Sequence, residues 1–403
     1  MVVSPARPPR LRLSLPGPVW LLPALVVGVA CGVASTAFLA VLEAATRFRL
    51  THEVVVFALP VAGLLLGAAY ERLGPALHAG TSRVFAALDG GPTLPARLAP
   101  MVLLGTVFTH LFGGSAGREG TAVQMGAGLA DSVAGACGLS GATRLRLLVA
   151  GLAGGFASVF GTPVAGVVFA LEAPRAAGAS VPSGALLPAA LAAWAGHHTA
   201  EALGVVHLHY PTFQESVPLS GVLGWLGLAV GAGAVAWVFV RATHSVREVA
   251  ARRFPRLAPR LFVGGALIVL LWQGLAPLGV GSDPLGLGLP LITSAFDGTR
   301  PAYTFAVKLL FTVVTIGFGF IGGEVTPLFV IGAAFGALVA EPLGLPLVPA
   351  VGVALVGVFA AASKCKWALT VMAVELFGWH AALPAGLVCL VGARLSGREG
   401  LYR

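Results

Sequence analysis

The chain has 403 residues, 57% of them hydrophobic and 10% charged, with a mean hydropathy of +0.92 and a formal net charge of +9. Soluble domains carry about 25% charged residues, so a chain this long lacks the polar coat needed to face water, and lipid must be the solvent over most of its surface. The positive balance does not point to nucleic acid, because the aromatic-interleaved basic pattern of a nucleic-acid face is missing.

Arg7, Arg10 and Arg12 precede the first apolar run, and no acidic residue occurs before Glu43. Basic residues gather on the cytoplasmic side of membrane proteins, which places residues 1–17 as a cytoplasmic N-terminal arm. Leu13 to Leu42 is uncharged, too long for a signal peptide and long enough to span a bilayer. Apolar stretches then follow one another to the end. Several fall below the ~20 residues a simple spanning helix needs, and many are broken by Gly or Pro. Irregular backbone inside a membrane is tolerated only where it is sheltered from lipid, so short interrupted segments predict half-helices lining a polar path. Arg241 to Arg260 reads as a second cytoplasmic connection. Residues 18–403 are expected to form one transmembrane domain with no regulatory module after it. Cys31, Cys137, Cys365 and Cys389 are scattered through apolar segments without metal or disulfide spacing and read as packing residues. His110, His207, His209 and His380 likewise read as packed or interfacial, and no metal or cofactor is expected.

An internal repeat organises the chain. With an offset of 206, Leu103, Leu104, Thr106, Val107, Thr109, Gly113, Gly117 and Gly126 each meet an identical residue in the segment from Leu309 to Gly332. The repeat halves are expected at roughly 50–205 and 215–403. Each copy carries a Gly-rich break followed by an acidic residue, Glu119 in one and Glu324 in the other. Paired interrupted segments in corresponding halves are the best sequence pointer to a central binding site in a transporter.

The first break, Gly113 to Thr121, has the means to hold an anion. Its glycines let the backbone open, and the amides at the start of the next helix are unpaired and partly positive. Arg118 and Glu119 are expensive inside a bilayer. Either they pair and stabilise the break, or Glu119 is a gate that competes with the anion for helix-end amides, is displaced by it and takes up a proton. Such a gate couples the two fluxes.

Gly117-Arg118-Glu119-Gly120-Thr121 resembles the gating-glutamate motif of the CLC family of anion channels and transporters. Most of that family has Pro after the second Gly. Thr121, flanked by Thr109 to Ala116 and Ala122 to Gly126, is similar to the fluoride/proton antiporter branch. The second break, Gly322 to Phe329, also resembles that branch, whereas chloride-type members carry Gly-Ser-Gly and a Phe there. The resemblance runs from about residue 18 to 403. It implies an all-α polytopic membrane protein, a CLC-type inverted repeat with re-entrant half-helices, forming a homodimer in the cell (inner or plasma) membrane. It makes Glu119 the gating glutamate, and gives Gly117, Arg118, Gly120 and Thr121, with Val325 and Thr326, to the anion. Glu324 and Thr326 become the pair that handles protons and fluoride on the internal side. Tyr402 matches the pore-lining tyrosine, whose hydroxyl is a good small-anion donor. Thr81 lies where the family places a turn contacting the central anion, although Gly80-Thr81-Ser82 matches poorly.

Two features depart from the family. Proton-coupled chloride members carry adjacent glutamates where this chain has Glu172 followed by Ala173, so Glu172 reads as structural. Lys364-Cys365-Lys366 stands where an Asn-Thr-Pro-like turn is expected, and Ile321 where the branch has a polar residue. The implied activity is fluoride export in exchange for protons across the bilayer. The alternatives are a chloride channel or chloride/proton exchanger, and a non-conducting membrane sensor derived from a transporter. No nucleophile, base or metal constellation suggests an enzyme.

Overall fold

The computed structural model describes residues 20–74, 78, 80–214, 221–299 and 301–402, so the arm expected at residues 1–17 lies outside the described residues. The described residues are almost all helical and contain no strand beyond an isolated bridge. The first eight α-helices are α1 (Leu21–Thr51), α2 (Leu59–Leu73), α3 (Gly80–Leu88), α4 (Leu98–Leu111), α5 (Glu119–Ala136), α6 (Gly141–Phe160), α7 (Pro163–Ala176) and α8 (Leu186–Ala202). The second eight are α9 (Val222–Arg253), α10 (Leu257–Leu275), α11 (Leu289–Phe296), α12 (Thr304–Phe318), α13 (Val325–Ala340), α14 (Leu347–Ser363), α15 (Lys366–Phe377) and α16 (Ala382–Leu395). Leu21–Thr51, Glu53–Leu73, Gly141–Phe160, Val222–Arg253 and Leu257–Leu278 are long and apolar enough to cross a membrane.

The contacts repeat with the sequence. α1 packs on α6 and α8, and α9 packs on α14 and α16. α4, α5 and α6 pack in succession, as do α12, α13 and α14. We therefore take the repeat unit to begin at α1, earlier than the residue-50 boundary read from the sequence.

The repeated glycines have repeated jobs. Gly113 and Gly319 hold left-handed backbone, with φ of 92° and 98°, at the two breaks. Gly126 and Gly332 let helices touch backbone to backbone. A Cβ at Gly126 would stand 2.1 Å from the Gly151 carbonyl on α6, and one at Gly332 2.5 Å from the Ala354 carbonyl on α14. Close approach through glycine is how helices associate where lipid competes equally for apolar side chains.

The structure refines three readings. α1 runs beyond the uncharged stretch to Thr51, burying Arg49. The basic stretch 241–260 is mostly helical, because α9 runs to Arg253 and α10 starts at Leu257. Cys137 is exposed while the other three cysteines are buried, and all four are free.

Candidate anion and proton site

The two breaks meet face to face. Gly117 and Gly323, matched by the 206-residue offset, exchange backbone hydrogen bonds as an antiparallel bridge, N to O 2.6 Å one way and 2.8 Å the other. Equivalent residues bonding reciprocally place a local two-fold axis between the copies, so the repeat is inverted. The N-termini of α5 and α13 therefore converge at one place.

Glu119 opens α5 and is 2% exposed. Its carboxylate accepts the Thr326 amide at 3.1 Å, and Thr326 Oγ1 donates a second, short hydrogen bond to it. The Arg118 amide donates at 3.2 Å, and Arg118 Nε lies 3.5 Å away as an ion-pair partner. Thr326 belongs to the first turn of α13, whose unpaired amides carry partial positive charge. The Glu119 carboxylate thus joins the capping amide of its own helix, at Arg118, to the helix end of the opposite repeat. A carboxylate held by an amide, a hydroxyl and a guanidinium occupies what an anion would occupy.

The other expected anion ligands divide into two groups. Gly117 and Gly120 line the bridge, where a Cβ would meet the facing Gly323 at 3.0–3.1 Å. Val325 is buried beside Thr326 at the start of α13. The Thr121 hydroxyl pairs with the Thr106 hydroxyl of α4 at 2.6 Å, so its side chain braces the break. Thr121→Val leaves the buried Thr106 hydroxyl unpaired and is expected to cost about 1–3 kcal/mol. The Thr106→Val/Thr121→Val double variant should lose less than the sum of the singles, as read by thermal melts of the purified protein.

Glu324, Tyr402 and Thr81 gather elsewhere. They line a cavity of about 390 Å³ with His78, Arg247 and Arg260. Thr81 Oγ1 accepts a hydrogen bond from Gln124 at 3.3 Å, and Tyr402 packs edge-on against Phe85 at 5.4 Å. The thin backbone at Gly120 separates this group from Glu119: a Cβ there would reach to within 3.9 Å of the Glu324 carboxylate. The two carboxylates thus lie on the two sides of one bridge. Ile321 lines the same cavity as Glu324.

Behind the gate lies a cationic group the sequence reading missed. Lys308 is fully buried and its Nζ donates to the carbonyls of Pro284 at 2.9 Å and Gly286 at 2.7 Å. Arg49 is 3% exposed, and its Nε and Nη1 have no hydrogen-bond partner. His110, fully buried, bridges the carbonyls of Thr106 and Ala116 at 2.8 and 2.9 Å, which makes it the packed residue expected. The signal available in the sequence was the scarcity of lysine.

Glu172 is structural, as expected, and has a two-fold mate. It accepts the amides of Trp367 and Ala368, at 3.0 and 2.8 Å, at the start of α15. Glu375 of α15 accepts the amides of Val164 and Ala165, at 2.9 and 2.7 Å, at the start of α7. Lys366 takes the first-turn place that Pro163 has in α7, which is why the absent Pro is tolerated. Lys364 caps α14 in a left-handed conformation, φ 66°, where α6 uses Gly161 at φ 74°. Its Nζ donates to Ser396 Oγ at 2.5 Å, so this lysine is paired within the protein.

Comparison with known proteins agrees with this geometry. The family model described as voltage gated chloride channel matches residues 62–397. A chloride/fluoride channel protein of Pseudomonas syringae pv. tomato is 40% identical over 388 residues, covering 95% of this chain and 85% of the relative. The crystal structure of a CLC-type fluoride/proton antiporter superposes with a TM-score of 0.89 at 33% identity, covering 95% of this chain and 96% of that one. A slow cyanobacterial chloride/proton antiporter shares the fold, with a TM-score of 0.85 at 20% identity over 96% of both chains.

Proposed function

Because the chain belongs to the voltage gated chloride channel (CLC) family, we propose that it is a multi-pass membrane transporter that exports fluoride in exchange for protons. The observation that carries this reading is Glu119 held by the amide and hydroxyl of Thr326 on the opposite repeat. Fluoride is a small, strong hydrogen-bond acceptor. An amide and a hydroxyl set at one point replace part of its hydration shell. When fluoride takes those donors, the displaced carboxylate takes up a proton. Glu324, across the Gly120 backbone, faces the basic cavity and relays that proton inward.

Arg247 and Arg260 put that cavity on the cytoplasmic side by the positive-inside rule. The N-terminus is cytoplasmic on the same rule. The cell membrane is the setting, and a homodimer with one pathway per subunit is the assembly. Selectivity for fluoride over chloride draws support from the antiporter that is 33% identical, and from the relative whose name carries both ions. Protein reconstituted into vesicles and assayed by fluoride- and chloride-sensitive electrodes should release fluoride faster and take up protons with it. Faster chloride release would replace this reading with a chloride/proton exchanger, and release of neither ion with a non-conducting relative.

A further inference from the structure

We propose that His197, His198 and Glu201, at the C-terminal end of α8, form a binding site for a divalent transition-metal ion of the zinc class. The three side chains come from one helical turn. Glu201 is four residues after His197 and three after His198, so its carboxylate falls between the two imidazoles. Its Oε2 lies 3.4 Å from His197 Nε2 and 3.2 Å from His198 Nδ1. Each residue offers a ligand atom, and these atoms all lie within 4.8 Å of one another.

The spacing is compatible with a metal. Glu201 already contacts both imidazoles, at 3.2 Å as a hydrogen bond and 3.4 Å as an ion pair. Ligands about 2.0–2.2 Å from a tetrahedral zinc stand roughly 3.3–3.6 Å apart. The two Glu201–histidine separations lie at or near that edge, so an ion can replace the proton between the groups with little rearrangement. Two imidazoles and a carboxylate suit zinc, copper or nickel and do not suit magnesium or calcium, which prefer all-oxygen shells. Three protein ligands leave a fourth position for solvent.

The surroundings hold the rings and leave the site open. Trp194 stands edge-on to His198 at 4.9 Å, and the His207 ring lies 5.6 Å from that of His197. His207 is itself fixed, its Nε2 3.2 Å from the Ser158 carbonyl on α6. His198 and Glu201 are 51% and 47% exposed at the side chain, so an ion has a way in. The Nδ1 of His197 is buried without a partner. Loss of an outer-shell acceptor typically costs about 10–100-fold in metal affinity, so the site is expected to bind more weakly than one whose ligands are all braced. A bound ion would lock the last turn of α8 and, through His207, the start of the segment joining the two repeats.

The test uses the full-length protein without an affinity tag, titrated with Co2+ and then with Zn2+. One Co2+ per chain, visible by its d–d absorption and displaced by Zn2+, is expected. His198→Gln and Glu201→Gln should each weaken binding at least about ten-fold, as loss of a ligand removes more than loss of an outer-shell partner. Both residues are exposed, so both variants should keep the fluoride flux of the parent, which confirms folding. No saturable binding, or binding unchanged in both variants, overturns the site.

Discussion

Alanine at position 119 is expected to abolish proton movement driven by a fluoride gradient while fluoride itself still crosses. In the proposed cycle the carboxylate is the group that leaves Thr326 when an anion arrives, and the group that then carries the proton. Each hydrogen bond to a charged acceptor is worth about 1.5–3 kcal/mol, and Thr326 gives Glu119 two of them. An anion that no longer has to displace them should bind with an apparent affinity at least about ten-fold higher, since each ten-fold corresponds to about 1.4 kcal/mol. Glu119→Gln, a mimic of the protonated side chain, should show the same loss of proton uptake. The measurement is proton uptake by a pH electrode beside fluoride efflux from the same vesicles. Stoichiometric proton uptake surviving in Glu119→Ala would remove Glu119 from the gating role and move attention to Glu324.

The repeat was legible because it is written in glycines, whereas its inversion came only from the family resemblance. Gly113 and Gly319 need left-handed backbone, and Gly126 and Gly332 need a missing Cβ. Such demands admit one residue type, so the two copies kept the same letters at the same spacing. What crosses between copies was not legible. Glu119 takes donors from Thr326, more than two hundred residues away, and nothing local in the Gly113 to Thr121 break announces that partner. Thr121 is a second case. Its presence marks the branch, and its hydroxyl pairs with that of Thr106 on the preceding helix, a contact the motif alone does not contain.

Charge read by position alone did not reveal structure. Arg241 to Arg260 was read as a connection because charges are expected outside the bilayer. The stretch is largely helical, and two of its residues, Arg247 and Arg260, line the cavity that holds Glu324. Lys308 and Arg49 are the reverse case. They are buried cations: Lys308 takes its carbonyl partners from Pro284 and Gly286, more than twenty residues away, and Arg49 keeps two guanidinium nitrogens without a partner. Lys364 departs from the family's turn. It is accommodated by a left-handed cap and the Ser396 hydroxyl, neither of which the motif comparison contains.

The packing of α5 on α6 carries the second large effect. Gly126→Ala would put a methyl group 2.1 Å from the Gly151 carbonyl oxygen, a backbone atom that cannot rotate away. The helices must part by more than about 1 Å to restore an ordinary contact, and overpacking of this kind costs typically 1–3 kcal/mol and occasionally more. The shift is transmitted along α5 to its first residue, Glu119, whose 3.1 Å bond from the Thr326 amide has no slack for it. Stability and proton coupling should therefore fall together. Gly135→Ala, on the same helix but with nothing within 4 Å of its added Cβ, is the matched control. It should be neutral or stabilise by up to about 1 kcal/mol, because Ala is the better helix former. Gly332→Ala, with 2.5 Å to the Ala354 carbonyl, should fall between the two, nearer to Gly126→Ala. Melting temperatures of the three purified variants give the order. A Gly126→Ala protein as stable as Gly135→Ala would mean that α5 and α6 are not in backbone contact, and that the gate is not positioned by this seam.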